Sequence, residues 1–201
     1  MSDLVDSLSK RISGKNKSKT QIILCHTTRS SNEYLISLKY RKNGKYDKIP
    51  NYLITKDGKT IELLDSQFYS NYFEQSDINK NSIIISLENL GWLEKSPLTT
   101  HYNNWIGDIY KGVPFEKKWR DFFLWDPYTP EQIQSLVKLC LELTSKHSIS
   151  KDCIGHNTKI TNIEKMNGIV SRSNFDRIFT DVSPAFDFDK FINMMKDEQL
   201  R

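Results

Sequence analysis

Two histidines and an aspartate, far apart along a 201-residue chain, are the residues whose types could do hydrolytic chemistry. His26 closes the apolar run QIILCH, His156 stands in CIGHN, and Asp181 opens DVSPAFDF. Two neutral imidazoles and one carboxylate from separate segments can make a three-ligand zinc site with an open fourth position, which catalysis requires. A histidine after an apolar strand also commonly packs in a core, and Asp176, Asp187 and Asp189 are nearby carboxylates that could cap the last helix. His101 and His147 lack such a setting and are expected on the surface. Cys153, just ahead of His156, is expected as a buried thiol rather than a ligand. The three cysteines show no C-x-x-C spacing, so no disulfide framework is expected and all three read as small core residues.

The elements that would have to position these residues follow from pattern. Residues 1–19 read as a polar N-terminal arm, a short helix and then a loose segment. QIILC predicts a buried strand that delivers His26 to a cleft. Ser30 or Ser31 can cap a helix to about Lys42, with Tyr34, Leu35 and Leu38 on one face and Gly44 as its stop. Two β-rich runs flank Asp57-Gly58, a hairpin signal. SIIISLEN predicts a central strand, apolar on both faces, with Ser86 and Glu88 on one side. Residues 91–128 hold all four tryptophans and read as a long, irregular, aromatic-rich insertion. It either packs on its own rings or walls a groove for sugar or peptide. Thr129-Pro130-Glu131-Gln132 is a capping box with proline at the first helical position, opening an amphipathic helix to about Lys146. CIGHN then reads as a brief strand, and a final helix starts near Asp187. The order predicts one mixed α/β domain over 20–201, a central sheet flanked by helices.

Composition bounds the partners. Formal net charge is +4, spread over scattered lysines, which suits an anionic polymer without choosing between cell wall and nucleic acid. The basic residues form no recognised nucleic-acid motif, so nucleic acid is not an expected partner. No apolar stretch reaches the length of a membrane span, and the first residues carry no secretory pattern. A monomer without stable membrane association is expected.

The ordered set of motifs resembles the zinc-dependent N-acetylmuramoyl-L-alanine amidases, the family of phage lysozyme-amidases and peptidoglycan recognition proteins. The matching segments are IILCH at His26, NYLITKDG at 51–58, NSIIISLE at 81–88, TPEQ at 129–132, GHN at His156 and TDVSPAFDF around Asp181. The resemblance implies Zn²⁺ on His26, His156 and Asp181, and cleavage of the amide between N-acetylmuramic acid and L-alanine of the stem peptide. It departs from the family at Ser86, where glutamate is frequent, at Asn51, where histidine is, and at Phe179, where lysine is. Val182 and Ser183 replace the usual proline and glycine. On this reading Glu88 becomes the general base or the group that orients the water, Arg172 or Arg177 steadies the oxyanion, and Asn51, Ser86, Trp92 and Asn157 contact substrate.

The implied function is a peptidoglycan hydrolase, and the compact architecture points to a phage endolysin. Such an enzyme is made in the host cytoplasm without a signal peptide and acts at the cell wall after release. The alternative is a non-catalytic muropeptide-binding module of the same fold, from which the retained aspartate at 181 argues away.

Overall fold

A strand with apolar side chains on both faces has to be covered from both sides, and QIILCH sets the architecture in this way. The computed structural model describes residues 7–8 and 10–197. In chain order, β1 (Gly14–Lys15) and β2 (Gln21–His26) precede α1 (Ser31–Tyr40), then come β3 (Tyr52–Ile54), β4 (Thr60–Glu62) and β5 (Phe68–Tyr69). The short α2 (Ser76–Asn81) leads into β6 (Ser82–Leu87). There follow β7 (Trp92–Lys95), β8 (Tyr102–Asn103), β9 (Ile109–Tyr110), β10 (Phe115–Trp119) and β11 (Phe122–Trp125). The chain closes with α3 (Pro130–His147), β12 (Gly168–Ser171) and α4 (Phe188–Asp197).

The central sheet runs β12-β2-β6-β3-β4, parallel except for the β3–β4 hairpin. Alternation along β2 sends Ile22 and Leu24 into a core with Ile83, Ile85 and Leu87 of β6, Leu136, Val137, Cys140 and Leu143 of α3, and Phe188 and Phe191 of α4. Ile23 and Cys25 face the opposite way, onto Tyr72, Phe73, Ile78 and Ile163. The capping box at Thr129 forms as expected, Thr129 accepting from the Gln132 backbone N–H while the Gln132 side chain accepts from the Thr129 N–H. Ser30 caps α1 by accepting from the Glu33 N–H, and Gly58 makes the β3–β4 turn at φ 82°.

Three expectations are corrected. CIGHN is not a strand: it keeps a single bridge, Cys153 to Ile169, and the strand is β12, whose Ile169 and Val170 pair in parallel with Ile22 and Ile23 of β2. The insertion is not irregular: it is an antiparallel sheet in the order β10-β11-β7-β8-β9. The described part of the N-terminal arm is not loose, because β1 pairs with β5, Leu8 is fully buried, and Arg11 Nη1 donates to Leu38 O at 2.7 Å. The helix expected at the start of the arm falls largely outside the described residues. Among those described, no helix is long and apolar enough to cross a membrane.

Trp125 anchors the insertion. It is fully buried, donates its indole N–H to Lys117 O at 2.8 Å, and meets the Trp119 and Phe122 rings at 5.5 and 5.9 Å. Trp125→Ala is expected to cost about 3–5 kcal/mol of unfolding free energy in a denaturant titration.

Candidate functional site

β2 ends at His26, and what surrounds that end defines the site. The His26 ring extends the Ile22/Leu24 face, where its Nδ1 lies 3.4 Å from the Tyr128 hydroxyl. Gly91, at φ 81°, lies so close that a Cβ there would sit 3.3 Å from the imidazole Cε1 and Nε2. The Asp181 carboxylate approaches the same strand end from the backbone side, where Oδ2 accepts from the His26 backbone N–H at 3.3 Å. Asp181 is itself buried, and the charge of Arg172 acts on it. Arg172 lies over the Phe179 ring, 3.1 Å from its centroid, and pairs with Asp176 at 3.6 Å. Burial pushes the His26 imidazole below its usual value against the opposing pull of Asp181 and Asp126, so it is held neutral and able to donate a lone pair.

These residues open onto a groove of about 1160 Å³. His26, Asp181, Arg172 and Phe179 line it, as do Tyr34, Ser37 and Tyr40 of α1 and Trp105, Ile106 and Asp108 of the insertion. Its basic residues, Arg29, Arg41, Lys42, Lys48 and Arg172, outnumber Glu33, Asp108 and Asp181. A substrate bearing carboxylates is favoured there.

His156 is placed differently. Its ring packs against Trp119 at 4.6 Å and Phe188 at 5.9 Å between centroids. Neither ring nitrogen, both buried, has a hydrogen-bond partner. Burial, then the charges of Lys117 and Arg120, lower its pKa to about 4. Among the described residues no group of three His, Cys, Asp or Glu side chains is close enough to hold a metal ion. The structure therefore brings His26 and Asp181 together and leaves His156 beneath Trp119.

The profile of the family described as N-acetylmuramoyl-L-alanine amidase matches residues 16–168, which take in His26 and His156 and stop short of Asp181. The chain belongs to the N-acetylmuramoyl-L-alanine amidase family. Solved structures share its fold. One is the amidase AmiD from E. coli in complex with anhydro-N-acetylmuramic acid-L-Ala-D-gamma-Glu-L-Lys, with TM-score 0.57 and 16% identity over 90% of this chain. Another is AmpDH3 from Pseudomonas aeruginosa in complex with anhydromuramic pentapeptide, with TM-score 0.55 and 11% identity over 90% of this chain. The chain spans 59% and 61% of the lengths of these two proteins. The endolysin amidase LysCS from Clostridium intestinale URNW has TM-score 0.51 and 12% identity, over 92% of this chain and 90% of its own. No curated protein sequence matches the chain.

The amidase-family fold sorts the other expected residues by where their side chains go. Arg172 lines the groove beside Asp181, whereas the Arg177 side chain is exposed and the residue contributes only its backbone carbonyl, to Arg120. Glu88 emerges at the end of β6 as expected, but its Oε2 accepts from the Lys56 N–H at 2.9 Å, and Glu88 is not among the groove-lining residues. Asn51 and Ser86, expected at the substrate, are corrected to interior positions. Asn51 donates to Asp65 O at 3.2 Å and Phe68 O at 3.0 Å and accepts from the Ile84 N–H at 3.0 Å. Ser86 is fully buried beside the Tyr72 hydroxyl at 3.4 Å. Trp92 stacks on Phe122 at 4.4 Å, and Asn157 Oδ1 accepts from Trp119 Nε1 at 3.0 Å. His147, expected on the surface, is half-buried with Nε2 2.8 Å from Ser66 Oγ. Tyr128, Gly91 and Trp119 were missed, although Tyr128 adjoins the TPEQ cap and Gly91 follows the strand that ends beside His26.

In type the three candidate donors, two imidazoles and a carboxylate, are ones zinc takes, and both His156 ring nitrogens are unpartnered, yet among the described residues the three do not come together around one point. Two measurements check the geometry. Asn51→Ala is expected to lose about 2–4 kcal/mol of stability, read by denaturant unfolding, because several buried backbone groups lose their partner at once; the groove should be unaffected. The folded pKa of His156 lies below its usual 6.5, so its contribution to stability is complete above pH 6.5 and is lost as pH falls towards about 4. The unfolding midpoint of chelator-treated protein should drop across that window, and less steeply in His156→Gln.

Proposed function

We propose that the chain hydrolyses the amide between N-acetylmuramic acid and L-alanine of peptidoglycan, with zinc held by His26, His156 and Asp181. The observation that carries this reading is the His26–Asp181 contact in the wall of a cationic groove, within a chain of this family. When bound, zinc supplies an activated water and polarises the scissile carbonyl. The protein's part is to keep both imidazoles neutral, to hold Asp181 beside Arg172, and to present basic side chains to the carboxylates of a stem peptide. Arg172 stands where it could also steady negative charge developing on the substrate. The ligands bound by AmiD and AmpDH3, muramoyl peptides in both cases, support this substrate class.

We further propose delivery to the bacterial wall as a phage endolysin, which the likeness to LysCS over nearly the full length of both chains supports at the level of fold. A second reading, a muropeptide-binding module that does not cleave, draws on the contact that keeps His156 against Trp119.

Mass spectrometry of a peptidoglycan digest distinguishes the two. Free stem peptides beginning at L-alanine, lost on chelation and restored by zinc, are expected. Retention on peptidoglycan without release would favour the binding module, and cleaved glycan with intact lactyl-peptide links would sink the amidase reading. Asp181→Asn should remain folded, since the amide oxygen can still accept from the His26 N–H. It should nonetheless lose turnover roughly 100-fold, as the anionic donor is gone.

A further inference from the structure

Of the four tryptophans, three belong to the insertion's own packing: Trp119 and Trp125 are buried, and Trp92 stacks on Phe122. Trp105 is 59% exposed and lies in the groove wall. The turn that carries it, between β8 and β9, is nonetheless tightly built. Buried Asn104 accepts from the N–H groups of Ile106 and Asp108 at 3.2 and 2.8 Å, and donates to Thr28 O at 2.7 Å. Thr28 follows His26 by two residues, so this bond fastens the turn to the chain just beyond the end of β2.

The groove is polarised along α1. Beside its first turn, burial and then the charge of Glu33 raise the Asp108 carboxyl above its usual range, with Arg29 opposing. Arg41 and Lys42 stand at the far end, about 12 Å further along the helix axis. The carboxylates of a stem peptide are drawn to that far end and repelled from the acidic end beside Trp105. What suits the acidic end is a neutral ligand with an apolar face and a rim of hydroxyl and amide groups. A pyranose has that form. The C–H bonds of one face stack on an indole, while its rim donates to Glu33 and Asp108 and accepts from Arg29.

We propose that Trp105 is the stacking platform of a saccharide subsite, through which the groove holds the glycan strand of peptidoglycan alongside the stem peptide. The inference rests on the peptidoglycan reading above, extends it from a muramoyl peptide to the polymer, and requires no metal. A ring already fixed by its turn loses little freedom on stacking, so it can carry much of the subsite's affinity.

The experiment measures binding to the full chain by titration calorimetry in the presence of a chelator. One probe is a β-1,4-linked tetramer of N-acetylglucosamine, which has the sugar backbone and no peptide; the other is the peptide L-Ala-D-gamma-Glu-L-Lys. Trp105→Ala is expected to bind the tetramer roughly tenfold more weakly than wild type, and Trp105→Tyr to retain most of the affinity. Peptide affinity and the unfolding midpoint should match wild type in both variants, since the ring is exposed. Wild-type tetramer affinity in Trp105→Ala would overturn the subsite. So would loss of peptide binding in place of tetramer binding, which would make Trp105 a peptide wall. Loss of both probes with a lowered midpoint would overturn it as a general loss of fold. Release of stem peptides from whole peptidoglycan by the wild-type chain is assayed separately. Release without tetramer binding strikes the subsite and leaves the amidase reading; Trp105-dependent tetramer binding without release does the reverse.

Discussion

The hydrogen bond from the His26 backbone N–H to Asp181 is the contact on which the site depends. β12 accompanies β2 only as far as the pairing of Ser171 with Leu24, after which the chain turns into a short 3-10 segment at Arg172–Asn174. On the other flank β6 continues to Leu87, opposite His26. The end of β2 is therefore supported on one side by a strand and on the other by a carboxylate. A buried backbone donor needs an acceptor, and a buried carboxylate needs a donor or a countercharge. Asp181 meets the first need and, with Arg172 beside it, has its own met.

Strand alternation then explains why two chemically matched residues approach one strand end from different directions. The His26 side chain belongs to the face covered by α3 and α4, and Cys25 to the face covered by Tyr72 and α2. Burial and the Asp181 charge both raise the Cys25 thiol far above its usual value, so it stays a protonated core group and no rival donor. Tyr34 and Tyr72 are likewise held protonated, chiefly by burial. Below the groove the Cys25 thiol and these two phenols thus stay uncharged.

What could be read from the chain was what is encoded locally. The Thr129 capping box, the Asp57-Gly58 turn and the apolar stripe of α3 each lie within a few residues, and the structure reproduces them. β12 was not legible because GIVS is short and gains its strand character from pairing with Gln21–Leu24, far away in sequence. CIGHN has a similar apolar start, yet Gly155 and the polar residues after it leave nothing to sustain a ladder beyond one bridge. Asn51 was misplaced for a related reason. A polar residue in a hairpin reads as surface chemistry until the backbone groups of 65, 68 and 84 are seen to converge on its amide. His26 and Asp181 meet at the end of β2, carboxylate on backbone N–H, because both sit at ends of segments whose other residues are committed to the core.

The aromatic insertion is the element that the three candidate donors share. At its base, Lys56 pairs with the buried Asp126 at 2.8 Å, and Asp126 also accepts from the Leu90 N–H at 2.7 Å. Asn89 donates to the Asp126 carbonyl at 2.8 Å, closing the root of the insertion onto the end of β6. This root holds Gly91 and Tyr128 against the His26 ring, and the Tyr128 hydroxyl also accepts from the Ser183 N–H at 3.4 Å, two residues past Asp181. The tip, stiffened by Trp119 and Trp125 packing 5.5 Å apart, reaches His156 and the loop before Asp181. Its outlying residue Trp105 remains exposed in the groove wall. A segment pinned at its root and in contact at its tip behaves as a brace, and a displacement at either end is felt by His26, His156 and Asp181 alike. Rings packed on one another and a wall along the groove are then two aspects of one structure, since the stiffness supplied by the first is what lets the second hold its place.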